Sequence, residues 1–189
     1  MILNRRLTLT LLASLPPFFT LIAKGRAEGN CAQVQPVLLT IGGNIEASNR
    51  GATRPGQTGF FKHHGIAFEK GFSLDAGMLQ ALPPKTLDIE TVEAGPGIFT
   101  GPALREVIGL AGVGGAGLRL MALDGYAVDL AAEEVAKGDW VLAIARDGVP
   151  LGLGDFGPAW LMRMPAGGKK PSEEESQRWV WSVFYIEVM

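Results

Sequence analysis

Hydrophobic and polar positions alternate or recur along this chain in ways that predict most of its elements. Residues 35–45 (QPVLLTIGGNI) set Val37, Leu39 and Ile41 against Leu38 and Thr40, which predicts a first strand bent at Gly42-Gly43. Residues 46–59 are polar and rich in Gly, Arg and Pro and read as a loop. The run Phe60-Phe61-Lys62-His63-His64 follows, and residues 68–72 read as a second extended segment. Residues 75–82 (DAGMLQAL) form a short helix, capped by Asp75 or Ser73 and stopped by Pro83-Pro84. Residues 86–92 alternate Leu87, Ile89 and Thr91 with Asp88 and Glu90, the pattern of a half-buried strand. Residues 93–98 (EAGPGI) read as a loop.

The clearest helix comes next. Leu104, Val107, Ile108 and Ala111 fall at i, i+3, i+4 and i+7 and make one apolar face. Pro102 suits its first turn, and Gly112, Gly114 and Gly115 end it. Residues 118–123 and 126–130 are strands around Asp124-Gly125, a strong hairpin dipeptide. Residues 132–137 make a turn or two of acidic helix. Residues 140–146 and 149–153 are strands around Asp147-Gly148, and 161–164 is another. Residues 167–177 (GGKKPSEEESQ) read as a polar loop, and 178–188 (RWVWSVFYIEV) as a closing strand. Hairpins with a few short helices and no internal repeat predict an α+β domain rather than an alternating βαβ one.

Composition changes the picture at the N-terminus. Arg5 and Arg6 precede an almost wholly apolar run over residues 7–23, and Gly25-Arg26-Ala27 is a small-residue cleavage site. The run is shorter than the roughly 20 residues a spanning helix needs, and Pro16-Pro17 interrupts it. The layout predicts a signal peptide over residues 1–27, a domain over 28–189 and a periplasmic product; secretory and twin-arginine export both fit Arg5-Arg6. Cys31 has no small-residue lipobox before it, so lipidation is not expected. The leader carries Arg5, Arg6, Lys24 and Arg26 and no acid, so of 17 basic and 19 acidic side chains the mature part keeps 13 and 19, a net charge near −6. That balance argues against a general nucleic-acid binder, which needs excess Lys and Arg for phosphates. The single cysteine excludes an internal disulfide.

Candidate chemistry is sparse. His63 and His64 are adjacent, diverge on either a strand or a helix, and have no spaced partner for a metal. The glycine-rich stretch 109–117 follows a helix and precedes a strand, the reverse of a dinucleotide-binding turn. No G-x-S-x-G nucleophile motif occurs. Trp160 with Asp155, and Arg178 with Trp179 and Trp181, combine a stacking surface with charged groups that read the edge of a flat heteroaromatic ring; core packing fits the tryptophans equally.

The ordered pieces at 99–108 (FTGPALREVI), 122–128 (ALDGYAV), 139–151 (DWVLAIARDGVPL), 157–161 (GPAWL) and 178–188 resemble the molybdopterin-binding domain of the sulfite oxidase family, and especially its small exported members. The resemblance implies the sulfite oxidase fold, a mixed α+β domain with a pterin pocket. Catalytic members carry a molybdenum-binding cysteine where this chain has residues 90–95 (ETVEAG), and no cysteine stands there. Small cysteine-free relatives look like pterin-binding proteins, some implicated in periplasmic sensing for cyclic-di-GMP signalling enzymes. The resemblance therefore implies a pterin or molybdopterin ligand without molybdenum chemistry and a membrane signalling partner. The residues it points to are Trp179 or Trp160 for stacking, Arg178 and Asp155 for the polar edge, Tyr126 and Glu93 nearby, and His63 or His64. The alternatives are a molybdenum oxidoreductase with a non-cysteine ligand such as Glu93, and a structural module.

Overall fold

The structure is a computed structural model that describes residues 35–54, 56 and 59–189. The expected signal peptide and Cys31 lie outside the described residues. In chain order the elements are β1 (Val37–Gly43), β2 (Arg50–Gly51), α1 (Phe60–His63), β3 (Lys70–Asp75), α2 (Ala76–Gln80), β4 (Pro84–Thr91), β5 (Gly95–Pro102) and α3 (Leu104–Gly109). They continue with β6 (Leu118–Ala122), β7 (Ala127–Leu130), α4 (Ala132–Lys137), β8 (Val141–Ala143), β9 (Ala145–Arg146), β10 (Val149–Pro150), β11 (Trp160–Met162), α5 (Glu173–Ser176) and β12 (Val183–Val188).

Six strands form the main sheet in the order β2-β3-β1-β12-β6-β7. The first and last strands pair in parallel at its centre, with Thr40 opposite Tyr185 and Ile41 opposite Ile186. Their neighbours are antiparallel. Both faces of this central pair are covered, which is why β12 shows an almost continuous buried run rather than strict alternation. On one side lies the principal core, with Leu39, Ile41, Leu118, Leu120 and Ile186 packed with the apolar face of α3. On the other, Phe61 and Phe68 pack against Phe184 and Tyr185 as a separate aromatic cluster.

A second sheet, β10-β9-β5-β4, and the two-stranded β11-β8 complete the strands. The α+β class expected from the sequence is the one observed. The hairpin turn at Asp124-Gly125 forms as predicted, with Asp124 Oδ1 accepting from the Tyr126 amide at 2.9 Å and Gly125 at φ 92°. Asp75 caps α2 by accepting from the Met78 amide at 2.8 Å.

Four local expectations differ from the structure. Residues 93–98 are not a loop: β4 and β5 pair from Pro84↔Pro102 to Thr91↔Gly95, leaving only residues 92–94 in the turn. The glycines that disguise β5 make room for neighbours. A Cβ on Gly97 would sit 2.7 Å from Arg146 Nε, and one on Gly101 would run into the Leu142 carbonyl. Pro102 ends β5 instead of opening α3, for which Ala103 is the N-cap. The expected strand 140–146 is divided at Ile144, so that β8 pairs with β11 and β9 with β5. The polar segment 167–177 is pinned, not free. Ser172 and Glu175 form a capping box at α5, the Glu90 amide donates to the Lys169 carbonyl at 2.8 Å, and Lys169 and Lys170 pair with Asp88 and Glu90.

Candidate ligand site

Arg50 reaches its place because β2, only two residues long, pairs with β3 through Arg50↔Gly71 at the edge of the main sheet. Its Nη1 donates to Thr40 Oγ1 at 3.3 Å and Ser73 Oγ at 3.5 Å. The guanidinium carbon lies 4.8 Å from the Phe61 ring centre and 5.6 Å from that of Phe68, a double cation–π arrangement. Phe60 and Phe61 come from α1, which opens on Gly59 at φ 115°, a conformation open to glycine. Their rings meet Phe184 of β12 at 5.9 and 6.0 Å.

These groups wall one side of a cavity of about 570 Å³. Val37, Leu38 and Thr40 of β1 form its floor, and Leu123, Leu153, Gly154 and Pro158 close the far side. The Gly157-Pro158 peptide bond is cis. Ser182, buried and held at φ 52°, ties this far wall together: its amide donates to the Phe156 carbonyl at 2.9 Å and its carbonyl accepts from the Leu123 amide at 3.1 Å. A buried non-glycine residue in the left-handed region is strained, and strain of this kind clusters at functional sites.

The cavity wall is mostly apolar and aromatic, and among the described residues Thr40 is the one hydroxyl side chain and Arg50 the one charged side chain that line it. No carboxylate, cysteine or histidine among the described residues lines it. Such a site can hold a flat ring and donate hydrogen bonds to its edge. Beneath the same cluster, burial first and Glu187 second push the Tyr185 phenol up to about 12, so it stays neutral against Phe68.

None of the residues expected from the sequence lines this cavity directly, and they do not converge on one point. Trp160 and Trp179 are in the core, at 0% and 4% exposure. Trp160 stacks on Phe156 at 4.6 Å and meets Phe99 edge-on at 5.4 Å. The indole N–H groups of both tryptophans have no partner among the described residues. Arg178 is held by Glu134 of α4 at 2.8 Å. Tyr126 donates its hydroxyl to the Gln177 carbonyl at 2.5 Å. Two residues do flank the cavity. Asp155 is exposed in the loop beside Gly154. His64 packs on Phe60 and Phe184, and its Nε2 lies 3.1 Å from the Leu123 carbonyl, which makes that nitrogen the donor. His63 is exposed at the end of α1.

Arg50, Phe60, Phe61 and Phe184 escaped the sequence reading as site residues. Arg50 stands in a polar Gly/Arg/Pro stretch with no periodicity, and the only local sign was the paired phenylalanines after it.

In three dimensions the chain is similar to the sulfane dehydrogenase SoxCD from Paracoccus pantotrophus, with a TM-score of 0.53 and 18% identity. The fold is the sulfite oxidase fold. The match covers 82% of this chain and 38% of SoxCD, so the chain spans well under half of that protein's length. Neither a protein-family model nor a curated protein matches the sequence.

Enzymes of this fold carry molybdopterin, and the place to test for it is the turn after β4. There the Ala94 amide donates to Thr91 Oγ1 at 2.9 Å and closes the turn on itself. Val92 and Glu93 are exposed at its tip. The acids preceding it are neutralised, Asp88 by Lys169 and Glu90 by Lys170. Among the described residues no group of three or more His, Cys, Asp or Glu could hold a metal. No thiolate stands at this turn to supply the soft ligand that the family's cysteine gives molybdenum.

Proposed function

We propose that this chain binds a pterin, or the pterin part of a molybdopterin-like molecule, without molybdenum redox chemistry, and presents the liganded state to a membrane signalling protein from the periplasm. The observation that carries the reading is the aromatic-walled cavity holding a single cation, at a volume inside the range of about 300–1,000 Å³ usual for small-molecule sites. Phenylalanine faces suit a flat ring, and a guanidinium suits the carbonyl and nitrogen acceptors on a pterin's edge. The shared fold with a dehydrogenase favours a second reading, an oxidoreductase of the sulfite oxidase type with a ligand other than cysteine.

One sample separates the two. The protein is expressed from its full sequence in a host that makes molybdopterin. Metal is then measured by elemental analysis, and pterin by fluorescence after oxidation. Pterin near one per chain without molybdenum is the expected result. Molybdenum in the same stoichiometry overturns the non-redox reading. Absence of both, with no uptake of added pterins, overturns ligand binding of this class.

A further inference from the structure

We propose that Arg50 makes the cavity selective for a ring that bears an anionic substituent, a carboxylate in the simplest case. The inference rests on the ring-binding reading above and adds the ligand's charge to it. Arg163, over the Trp140 ring at 4.8 Å and not among the residues that line this cavity, has no ion-pair partner among the described residues, while four other arginines have one: Arg119 with Asp129 at 2.7 Å, Arg178 with Glu134 at 2.8 Å, Arg105 with Glu106 at 3.3 Å and Arg146 with Asp147 at 3.4 Å. Arg50 has none among the described residues, although it is half-buried. The nearby Asp75, opposite Val37 on β3, is committed to the Met78 amide.

A guanidinium is always charged and carries five N–H donors. Here Nη1 alone is bonded, to two neutral hydroxyls at long distance. The faces of Phe61 and Phe68 attract the cation but accept no strong hydrogen bond. Nη2 and Nε therefore have no acceptor among the described residues, in a cavity whose walls are otherwise apolar. A carboxylate on a ring held among Phe60, Phe61 and Phe184 completes the fork and supplies the missing charge.

The test is calorimetric titration of the full chain with pterin-6-carboxylate, neutral 6-methylpterin and naphthalene-2-carboxylate. Pterin-6-carboxylate is expected to bind at least about tenfold more tightly than 6-methylpterin, the scale of a hydrogen bond to a charged group. Arg50→Gln is expected to bring the two to parity by weakening pterin-6-carboxylate far more than 6-methylpterin, with far-ultraviolet circular dichroism showing that the variant is folded. Arg50→Lys, which keeps the charge and loses the fork, is expected to fall between. Equal binding of the two pterins by the unaltered chain overturns the proposal and leaves the ring reading intact. An equal loss of both in folded Arg50→Gln overturns it as well, because Arg50 then reads the ring. Arg50-dependent binding of naphthalene-2-carboxylate without either pterin upholds the anion preference and overturns the pterin reading. No binding of any of the three overturns both.

Discussion

Replacing Trp160 with alanine separates a packing role from a ligand-stacking one. The side chain is fully buried, lies on Phe156 with rings 4.6 Å apart and 23° from parallel, and meets Phe99 at 83°. It also opens β11, whose register with β8 runs from Trp160↔Ala143 to Met162↔Val141. Emptying a site of this size costs about 3–5 kcal/mol, the range for Trp or Phe to Ala in a core. Against a total stability of about 5–15 kcal/mol, that is a large fraction. With a urea slope of about 2 kcal/mol per molar, the midpoint should fall by about 1.5–2.5 M. Trp160→Phe keeps a ring against Phe156 and should lose less than half as much. Urea unfolding followed by far-ultraviolet circular dichroism reads both shifts without depending on the tryptophan removed. A midpoint within about 0.5 M of the parent, together with loss of pterin affinity, would refute the assignment of Trp160 to the core and return it to the ligand.

Three more outcomes can be checked on the same preparation. Gly101→Ala places a methyl group against the Leu142 carbonyl, so thermal unfolding should show a loss of about 1–3 kcal/mol, whereas Gly109→Ala, with open space around it, should show none. The Arg119 guanidinium holds the Asp129 carboxyl below its usual range, so its contribution is present above that range and disappears as pH falls through the lowered value. The pair is exposed, at 45% and 52%, so Asp129→Asn should cost no more than about 0.5 kcal/mol at neutral pH, and less in high salt. Burial raises Tyr185 from 10.0 to about 12, so the neutral phenol stabilises the fold fully below pH 10, and up to about 3 kcal/mol is lost as pH rises through about 12. Spectrophotometric titration at 295 nm should show one late-ionising tyrosine that Tyr185→Phe removes.

The elements with strong period were legible before any coordinates. Leu104, Val107 and Ile108 of α3, the β6–β7 hairpin around Asp124-Gly125 and the short helix α4 all lie where the apolar spacing placed them. β5 was not legible, because Gly95, Gly97 and Gly101 imitate a loop while in the fold they admit a tight turn, the Arg146 side chain and the Leu142 carbonyl. Trp179 and Trp181 alternate like strand residues, yet the ladder begins only at Val183, so neither belongs to the closing strand. The candidate cavity was the least legible feature. It joins Thr40 and Arg50 to Leu123, Leu153 and Phe184, and no local pattern records contacts over such separations.

The turn after β4 and the aromatic cavity use their polar groups in opposite ways. At the turn after β4, Thr91 satisfies the backbone, Lys169 and Lys170 neutralise the acids, and the tip residues face solvent, so the chain spends its polar groups on itself. At the aromatic cavity the reverse holds. The strand Arg50–Gly51 and the helix Phe60–His63 bring Arg50, Phe60 and Phe61 to the cavity, and among the described residues the guanidinium has no counter-charge beside this largely apolar hollow. Partial burial of a cation is costly unless something completes its bonding. Arg105, Arg119, Arg146 and Arg178 are paired with acids and Arg163 lies over Trp140, whereas the unpaired cation at Arg50 lines a cavity. The cavity is lined by Val37, Leu38 and Thr40 of β1 and Phe184 of β12, so its lining includes both strands of the parallel pair at the centre of the main sheet.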